Sequence, residues 1–267
     1  MSDADETSPR RYGTVVIVGG GCYGGYYVRQ LHRAAQAGAL MARELVVVDR
    51  DATCAVGSSI ASDARPFAVP TRVVVRDWRE FFRDYLAAAA SDPQAYRDDA
   101  IVPSPLMPHL MGEWLVERAR ERWPARDVRT APVDRPPSVP WERAGVDGTH
   151  YVSFATWTCP VNCIEPRTCP VARGPRSWSL PERLAEHARV ERDAGHDVDV
   201  AVLHCRHRAY GVGMFDTAEV VAADTLIAAA GERASAEVII GTVSHCHGAL
   251  TRLLVGAASD QSSSQLR

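Results

Sequence analysis

Short runs of β-branched and apolar residues alternate along the chain with longer stretches in which apolar residues recur every three to four positions. The first pattern is typical of buried strands and the second of amphipathic helices. Strands are predicted at residues 14–18, 45–48, 72–75, 100–102, 151–157, 198–203 and 237–242. Helices are predicted at residues 23–37, 78–90, 106–122, 181–192, 217–230 and 248–255. This alternation favours an α/β fold with a doubly wound, mostly parallel sheet covered by helices on both faces.

A proline-rich segment, residues 124–140, interrupts this rhythm. It is predicted to be a loop, because proline lacks a backbone N–H and blocks helix. The order of strand then helix resumes after it, so we expect residues 13–258 to form a single α/β domain. Residues 1–12 and 259–267 are polar and without periodicity, and we expect them to be disordered ends.

Three glycines, Gly19, Gly21 and Gly24, satisfy the pattern G-x-G-x-x-G between the first predicted strand and the first predicted helix. In this context the glycines permit a tight turn, close approach of a pyrophosphate and close helix–strand packing, in that order. Residues 13–50 resemble the Rossmann dinucleotide-binding superfamily. The resemblance implies a Rossmann-like sheet and a dinucleotide-binding domain with phosphates at the helix N-terminus. The alternatives are a methyltransferase-type loop and a glycine-rich turn without a ligand.

Neighbouring side chains refine the choice of nucleotide. Asp49 ends the second predicted strand, where a carboxylate accepts hydrogen bonds from an adenosine ribose and repels a 2′-phosphate. This favours NAD or FAD over NADP, although the adjacent Arg50 acts against that choice. Asp49 lies further from the glycines than is usual in the superfamily. Cys22 and Tyr23 lie inside the motif and complete the predicted cofactor-binding residues.

A cysteine-rich loop, residues 158–178, contains three thiols, Cys159, Cys163 and Cys169. Its Cys-Pro-Val-Asn-Cys-Ile portion resembles part of a bacterial ferredoxin cluster loop, although the spacing C-x3-C-x5-C departs from the full ferredoxin pattern. The resemblance implies that these thiols ligate an iron–sulfur cluster.

Two further cysteines, Cys205 and Cys246, have histidine neighbours. On an extended segment Cys205 and His207 point the same way, and so do His245 and His247. Thiolate and imidazole are both metal ligands. The three histidines are also the candidate catalytic residues, since proton transfer in a chain without lysine must fall to His, Asp, Glu, Tyr or Cys.

The cysteines also follow strands. Cys159, Cys205 and Cys246 each come directly after a predicted strand, and ligands of open parallel sheets bind at the carboxyl ends of strands. We therefore expect the cysteine-rich loop to be inserted at the carboxyl edge of the sheet, beside the nucleotide. The five thiols predict an iron–sulfur cluster, such as 4Fe-4S. The alternatives are a zinc site formed by Cys205, Cys246 and a histidine, or buried thiols without metal.

Composition narrows the chemistry. All 30 basic residues are arginine, so a Walker-type phosphate loop, a Schiff-base enzyme and a lysine general base are excluded. A net charge of -3 gives no basic footprint for nucleic acid, and no apolar run approaches the ~20 residues of a membrane span. The polar N-terminus does not resemble a secretory signal, so we expect a cytoplasmic protein with reduced cysteines.

These observations predict a dinucleotide-binding oxidoreductase with an iron–sulfur centre, which acts on a small-molecule substrate or an electron-transfer partner. Because nicotinamide transfers two electrons together and a cluster accepts one, FAD suits electron transfer better than NAD. A non-catalytic redox or metal sensor and a zinc-dependent NAD oxidoreductase are the alternatives, and a homo-oligomer is left open. Arginines near the thiols, Arg167, Arg173 and Arg176, are candidates to hold an anionic substrate, and His109 with Glu113 forms a further candidate pair on one helix face.

Overall fold

The computed structural model describes residues 9–62, 67–160 and 163–258. The chain divides into two compact units. Unit 1 consists of Met1–Pro108, Thr158–Arg176 and Cys205–Val221, and unit 2 consists of His109–Trp157, Ser177–His204 and Ala222–Arg267. Of the ends predicted to be disordered, residues 1–8 and 259–267 lie outside the described residues.

Fourteen strands and six α-helices are found in the described residues. In chain order they are β1 (Arg10–Val18), α1 (Cys22–Gln36), β2 (Leu40–Asp49), α2 (Ala55–Ala61), β3 (Thr71–Val75), α3 (Trp78–Ser91), β4 (Ala100–Val102), α4 (Leu110–Arg122), β5 (Arg126–Ala131), β6 (Trp141–Ala144), β7 (His150–Ser153), β8 (Thr168–Cys169), β9 (Gly174–Pro175), α5 (Leu180–Asp193), β10 (Val198–His204), β11 (Arg206–Ala209), β12 (Val212–Asp216), α6 (Thr217–Gly231), β13 (Ala236–Val243) and β14 (His247–Ala258).

The sheet of unit 1 has the order β11-β12-β4-β1-β2-β3. Strands β4, β1, β2 and β3 are parallel, whereas β12 runs antiparallel to both β4 and β11. The central strands are buried on both faces, as the continuous apolar runs predict; Val15, Ile17, Leu45 and Val47 are fully buried. Helix α1 packs its apolar stripe against this sheet, with Leu31 fully buried in the same core.

The sheet of unit 2 has the order β10-β13-β14-β7-β6, and β5 also pairs with β14. Only β10 and β13 are neighbours in parallel; β14 is antiparallel to β13, β7 and β5. Strands β7, β10 and β13 therefore point in the same direction, so their carboxyl ends lie at one edge of this sheet. The core beneath them includes Leu180, Leu184 and Leu250, all fully buried.

The predicted doubly wound, mostly parallel Rossmann-like sheet is wrong. Two six-stranded sheets each mix parallel and antiparallel strands. The main cause lies at residues 248–255, predicted as a crossover helix but found inside β14. A tight turn follows β13, with the Ser244 N–H donating to the His247 carbonyl oxygen at 2.7 Å. The chain therefore returns beside β13 instead of crossing over the sheet.

The position predicted for the cysteine-rich loop is also wrong. Within unit 1, residues 164–168 of the loop line a cavity together with Pro9 and Arg10. These two residues stand at the amino end of β1, whereas Gly19 follows its carboxyl end. The loop and the glycine motif thus lie towards opposite ends of this strand. In the described part of the chain, no helix is long and apolar enough to cross a membrane.

Candidate functional site

The glycine loop joins β1 to α1 and is shaped by two of its three motif glycines. Gly19 has a φ of +83°, which L side chains rarely adopt, and its N–H donates to the Val48 carbonyl oxygen at 2.9 Å. A Cβ on Gly24 would lie 1.7 Å from the Gly19 carbonyl oxygen. The first glycine therefore makes the turn, and the third allows the helix to approach it.

Gly21 differs from both. It has a φ of -76°, and a Cβ placed on it would meet no atom of the described chain within 4 Å. Gly21 is also the residue that precedes α1, so no side chain caps the helix, and the first turn has no acidic residue. Together with Cys22 and Tyr23 it is exposed. The three residues leave the helix N-terminus open to an external ligand.

Asp49 lies beside the same loop. Its Oδ2 accepts a hydrogen bond from the Gly20 N–H at 2.6 Å, and its Oδ1 accepts one from the Asp51 N–H at 2.9 Å. The carboxylate thus holds the glycine loop and the end of β2 together. Each carboxylate oxygen can accept a further hydrogen bond, because it has two lone pairs.

Arg50 is turned towards Asp77 rather than towards the glycines. Its Nε lies 2.8 Å from Asp77 Oδ2, and its guanidinium lies 6.0 Å from the centre of the Trp78 ring. The Arg50 guanidinium holds the pKa of Asp77 below its usual range. The cation expected to act against a ribose-binding role for Asp49 is therefore paired elsewhere.

Two residues of this region were not predicted from the sequence. A Cβ on Gly20 would lie 2.3 Å from Cys54 Sγ, and that sulfur accepts the Gly57 N–H at 3.4 Å at the start of α2. The Trp78 indole donates to the Val48 carbonyl oxygen at 3.0 Å and lies near Gly19. Cysteine is an unusual N-cap, so little in the sequence pattern indicates this role for Cys54.

The cysteine-rich loop of unit 1 contains sulfur atoms that accept backbone hydrogen bonds. Cys163 Sγ accepts the N–H of Glu165 at 3.3 Å, and Cys169 Sγ accepts the N–H of Ala172 at 3.4 Å. Cys159 is half-buried. Residues 161 and 162, between the first two cysteines, lie outside the described chain.

Cys205 and His207 come together over Gly213, as expected for alternate residues of an extended segment. A Cβ on Gly213 would lie 2.8 Å from Cys205 Sγ and 3.3 Å from His207 Nε2. The Nδ1–H of His207 donates to the Cys163 carbonyl oxygen, which leaves Nε2 with its lone pair. A thiol and an imidazole nitrogen are therefore close neighbours in unit 1.

Burial opposes ionisation of this thiol. It raises the pKa of Cys205 to about 12, and the nearby Glu165 carboxylate adds to the shift. The same surroundings raise the pKa of Tyr27 to about 12, chiefly through burial. Because the thiolate is the nucleophile and the metal ligand, Cys205 is inert at neutral pH in this arrangement.

In unit 2, residues at or just after the carboxyl ends of β7, β10 and β13 meet at one edge of the sheet. The rings of His204 and His245 are in edge-to-face contact, with centroids 4.7 Å apart. His245 Nδ1 lies 3.2 Å from Ser179 Oγ, and His247 Nδ1 lies 2.9 Å from Ser153 Oγ. These histidines are thus held by serine hydroxyls.

Cys246 lies in the turn between β13 and β14. Ser244 Oγ accepts the N–H groups of Cys246 and His247 at 3.2 Å, which is how a serine stabilises a tight turn. The indole of Trp178 donates to Cys246 Sγ at 3.2 Å, and the thiol is buried. The His-Cys-His sequence therefore forms a structural turn whose sulfur already has a hydrogen-bond donor.

The predicted metal ligands are divided between the two units. Cys159, Cys163, Cys169 and Cys205 belong to unit 1, and Cys246 belongs to unit 2. Within residues 9–62, 67–160 and 163–258, no three or more His, Cys, Asp or Glu side chains are grouped so that they could hold a metal ion. In the described residues, Cys205 lies near His207 and His204 lies near His245. Each of these is a pair and not a group of three or more metal ligands.

His109 of unit 2 is more deeply buried than its helical pairing with Glu113 suggests. Its Nδ1 lies 3.0 Å from Thr242 Oγ1, and in the described chain its Nε2 has no hydrogen-bond partner. Burial lowers the pKa of His109 to about 4, so the ring is neutral. It borders a cavity of about 270 Å³ that is also lined by Glu113 and Asp147.

Comparison with known proteins gives a family but no activity. Residues 111–256 match the model of the family AF_1314_C, described as "Uncharacterized protein, C-terminal domain". This match covers more than half of the chain, and the chain belongs to that family. No curated protein matches the sequence, and no solved structure matches it either.

Proposed function

We propose that unit 1 binds an adenine dinucleotide, NAD or FAD, with its pyrophosphate over the glycine loop. The observation that supports this proposal most strongly is the glycine at position 21. Gly19 and Gly24 satisfy constraints of the chain itself, a positive φ and a close carbonyl oxygen. Gly21 satisfies neither. A ligand that approaches its Cα explains the missing side chain, and this is the role of the second glycine in such motifs.

The start of α1 supplies the attraction for phosphate. The first N–H groups of a helix lack partners within the helix, and the helix dipole places partial positive charge there. Gly21 provides no capping side chain, and no carboxylate in the first turn competes for these groups. Phosphate oxygens would accept hydrogen bonds from these N–H groups. This mode of binding suits a chain without lysine, because backbone N–H groups hold the phosphate in place of a lysine ammonium group.

Asp49 is the residue proposed to bind the adenosine ribose. It stands at the end of β2 and already fixes the Gly20 N–H, so its position relative to the loop is set before a ligand arrives. Arg50 is paired with Asp77 and is not directed at a 2′-phosphate. This arrangement favours NAD or FAD over NADP.

The test compares Gly21→Ala with Gly25→Ala in titrations of NADH, FAD and ADP followed by fluorescence or calorimetry. A Cβ on Gly21 meets no neighbour, and one on Gly25 comes no closer than 3.4 Å, to the mobile end of Arg29. Both variants should therefore fold, with a slightly lower melting temperature for Gly21→Ala, because alanine is a poorer N-cap than glycine, and an equal or slightly higher one for Gly25→Ala, because alanine favours the helix interior. Gly21→Ala should weaken binding about tenfold or more, whereas Gly25→Ala should not. The proposal is contradicted if the two variants bind these nucleotides with equal affinity, or if the parent protein does not bind them.

Oxidoreductase activity is the function that such a dinucleotide would serve. Without lysine, proton transfer falls to groups such as His207, His245 and His247. Release of a fluorescent flavin on denaturation would identify FAD, and its absence together with NADH binding would identify NAD. A reducing compartment such as the cytoplasm suits the seven cysteines, all of which lie in the described chain as free thiols.

The iron–sulfur centre is the second part of this proposal. The backbone N–H groups that point at Cys163 and Cys169 favour it, since hydrogen bonds to sulfur surround the ligands of such clusters. Protein purified without oxygen should then be brown and contain iron and sulfide in equal amounts. Colourless protein that contains zinc would favour the zinc site. Protein free of both iron and zinc would contradict the iron–sulfur centre and the zinc site alike. Steady turnover with any donor and acceptor would argue against a pure sensor.

A further inference from the structure

A cavity of about 950 Å³ opens in unit 1 at the amino end of β1. Its walls come from the start of that strand, the turn between α1 and β2, residues 164–168 of the cysteine-rich loop, and the β11–β12 hairpin. Gly19 lies nine residues further along β1, which is about 30 Å for an extended strand. A ligand in this cavity is therefore a different molecule from the proposed dinucleotide.

The walls are strongly cationic. Arg10, Arg167, Arg176 and Arg208 all line the cavity. In the described part of the chain, neither Arg10 nor Arg167 makes an ion pair. Arg208 is held by Asp216, whose Oδ2 accepts from its Nη2 at 2.7 Å, so its guanidinium is fixed in place. Three separate segments thus bring arginine to one cavity.

Backbone strain is concentrated at the same place. In the described chain, three residues other than glycine have a positive φ, and two of them, Glu165 at 51° and Tyr210 at 50°, line the cavity. Tyr210 occupies a two-residue hairpin turn with Gly211, a position that favours asparagine or glycine. Such strain persists where function requires a particular side chain, and it is common at binding sites.

We propose that this cavity binds an organic phosphate, namely a phosphate ester of a ring-bearing molecule such as a nucleoside monophosphate. The cavity has the volume of a typical small-molecule site, which is far larger than an inorganic phosphate ion needs. Guanidinium groups bind phosphate oxygens in matched pairs, so Arg10 and Arg167 bind the phosphate. The buried Glu165 accepts hydrogen bonds from ligand hydroxyls, and the Tyr210 ring stacks on the ring of the ligand.

The chain contains a matched control for the charge. Arg173 belongs to the same loop as Arg167, is exposed, and does not line the cavity. Arg167→Gln and Arg173→Gln therefore remove the same charge from the same loop. If the cavity binds the phosphate, only Arg167→Gln should weaken the binding of the phosphate ester. If arginine-rich surface alone attracts anions, the two variants should lose affinity equally.

The experiment is calorimetric titration of the full-length protein with AMP, pyrophosphate and adenosine. Each titration is repeated with the Gly21→Ala variant, because AMP is also a fragment of the proposed dinucleotide and could bind at the glycine loop. AMP binding at the cavity should persist in Gly21→Ala, fall about tenfold or more in Arg10→Gln and Arg167→Gln, and be unchanged in Arg173→Gln. Adenosine should bind far more weakly than AMP, because it lacks the phosphate.

Tyr210→Asn separates the ring contact from folding. Asparagine suits the turn, so its melting temperature should equal or exceed that of the parent protein, while AMP binding weakens and pyrophosphate binding stays the same. The proposal is overturned if adenosine binds as well as AMP, if Arg10→Gln and Arg167→Gln bind AMP normally, or if Arg173→Gln loses as much affinity as they do. A single-stranded RNA that binds more tightly than AMP and depends on Arg167 would also overturn it.

Discussion

Gly24 lies directly against Gly19, so that a Cβ on Gly24 would be 1.7 Å from the Gly19 carbonyl oxygen. Because the obstacle is backbone, Gly24→Ala must displace the start of α1 from the end of β1. We expect a loss of about 3 kcal/mol in the free energy of unfolding, measured by denaturant titration. Gly25→Ala is the control and should be neutral or slightly stabilising, because alanine favours the helix and its Cβ meets no close backbone atom. A Gly24→Ala protein of unchanged stability would contradict this packing.

Gly112 gives a second test of close packing, because a Cβ there would lie 2.5 Å from His109 Nε2. In an exposed helix, Gly→Ala gains about 1 kcal/mol. Here we expect Gly112→Ala to destabilise the protein by about 1–3 kcal/mol, because the His109 ring occupies that space. The double variant His109→Ala, Gly112→Ala removes the ring, so adding alanine at 112 to His109→Ala should cost nothing. Independent, additive effects would contradict the contact.

Two buried histidines should make stability fall on mild acidification. Burial lowers the pKa of His32 and of His109 to about 4, from 6.5. The unfolded chain therefore takes up protons first as the pH falls below 6.5. Stability that is complete above this value is lost progressively towards pH 4, by about 3 kcal/mol for the deeply buried His109 and by less for His32, where solvent screens the effect.

The measurement is the free energy of unfolding at several values between pH 7 and pH 5, above the range in which most carboxylates titrate. His109→Gln should show a shallower decline than the parent protein. His196→Gln, which changes an exposed histidine paired with Glu191, should retain the full decline. A parent protein with flat stability over this interval would contradict the burial of both rings.

The cysteines should differ widely in reactivity. Cys22 is exposed, Cys246 is buried beneath Trp178, and burial raises the pKa of Cys205 to about 12. Brief treatment of the native protein with iodoacetamide at pH 8, followed by mass spectrometry, should therefore modify Cys22 first and leave the other two unmodified. Rapid modification of Cys205 would contradict its described surroundings. NADH or FAD should protect Cys22 if either binds at the glycine loop.

The sequence predicted the parallel strands of unit 1 because they are continuous runs of apolar and β-branched residues, such as residues 14–18, which a periodic helix follows. It also predicted that Cys205 and His207 share a side of their segment, and the contact of both with Gly213 confirms this. The G-x-G-x-x-G motif predicted a tight turn at Gly19, where φ is positive, and the close packing of Gly24. These features depend on local pattern, which a single sequence contains.

The antiparallel strands were missed because partners distant in sequence determine them. Residues 248–255 include three leucines and one alanine, which favour helix, yet β14 pairs with β13 on one side and with β7 and β5 on the other. The turn before it contains His245-Cys246-His247, a sequence read as metal ligands and not as a turn. The strand Arg126–Ala131 was likewise concealed within a segment predicted as a proline-rich loop.

The division of the chain into units has a consequence for how it folds. The polypeptide changes unit after residues 108, 157, 176, 204 and 221. Strand β4, which pairs with β12, is synthesised more than 100 residues before it. The first unit therefore cannot complete its sheet until β12 has been made, by which time most of the second unit has also been synthesised. A fragment beginning at residue 111, where the family match starts, would retain β11 and β12 but lose β4, the strand with which β12 pairs.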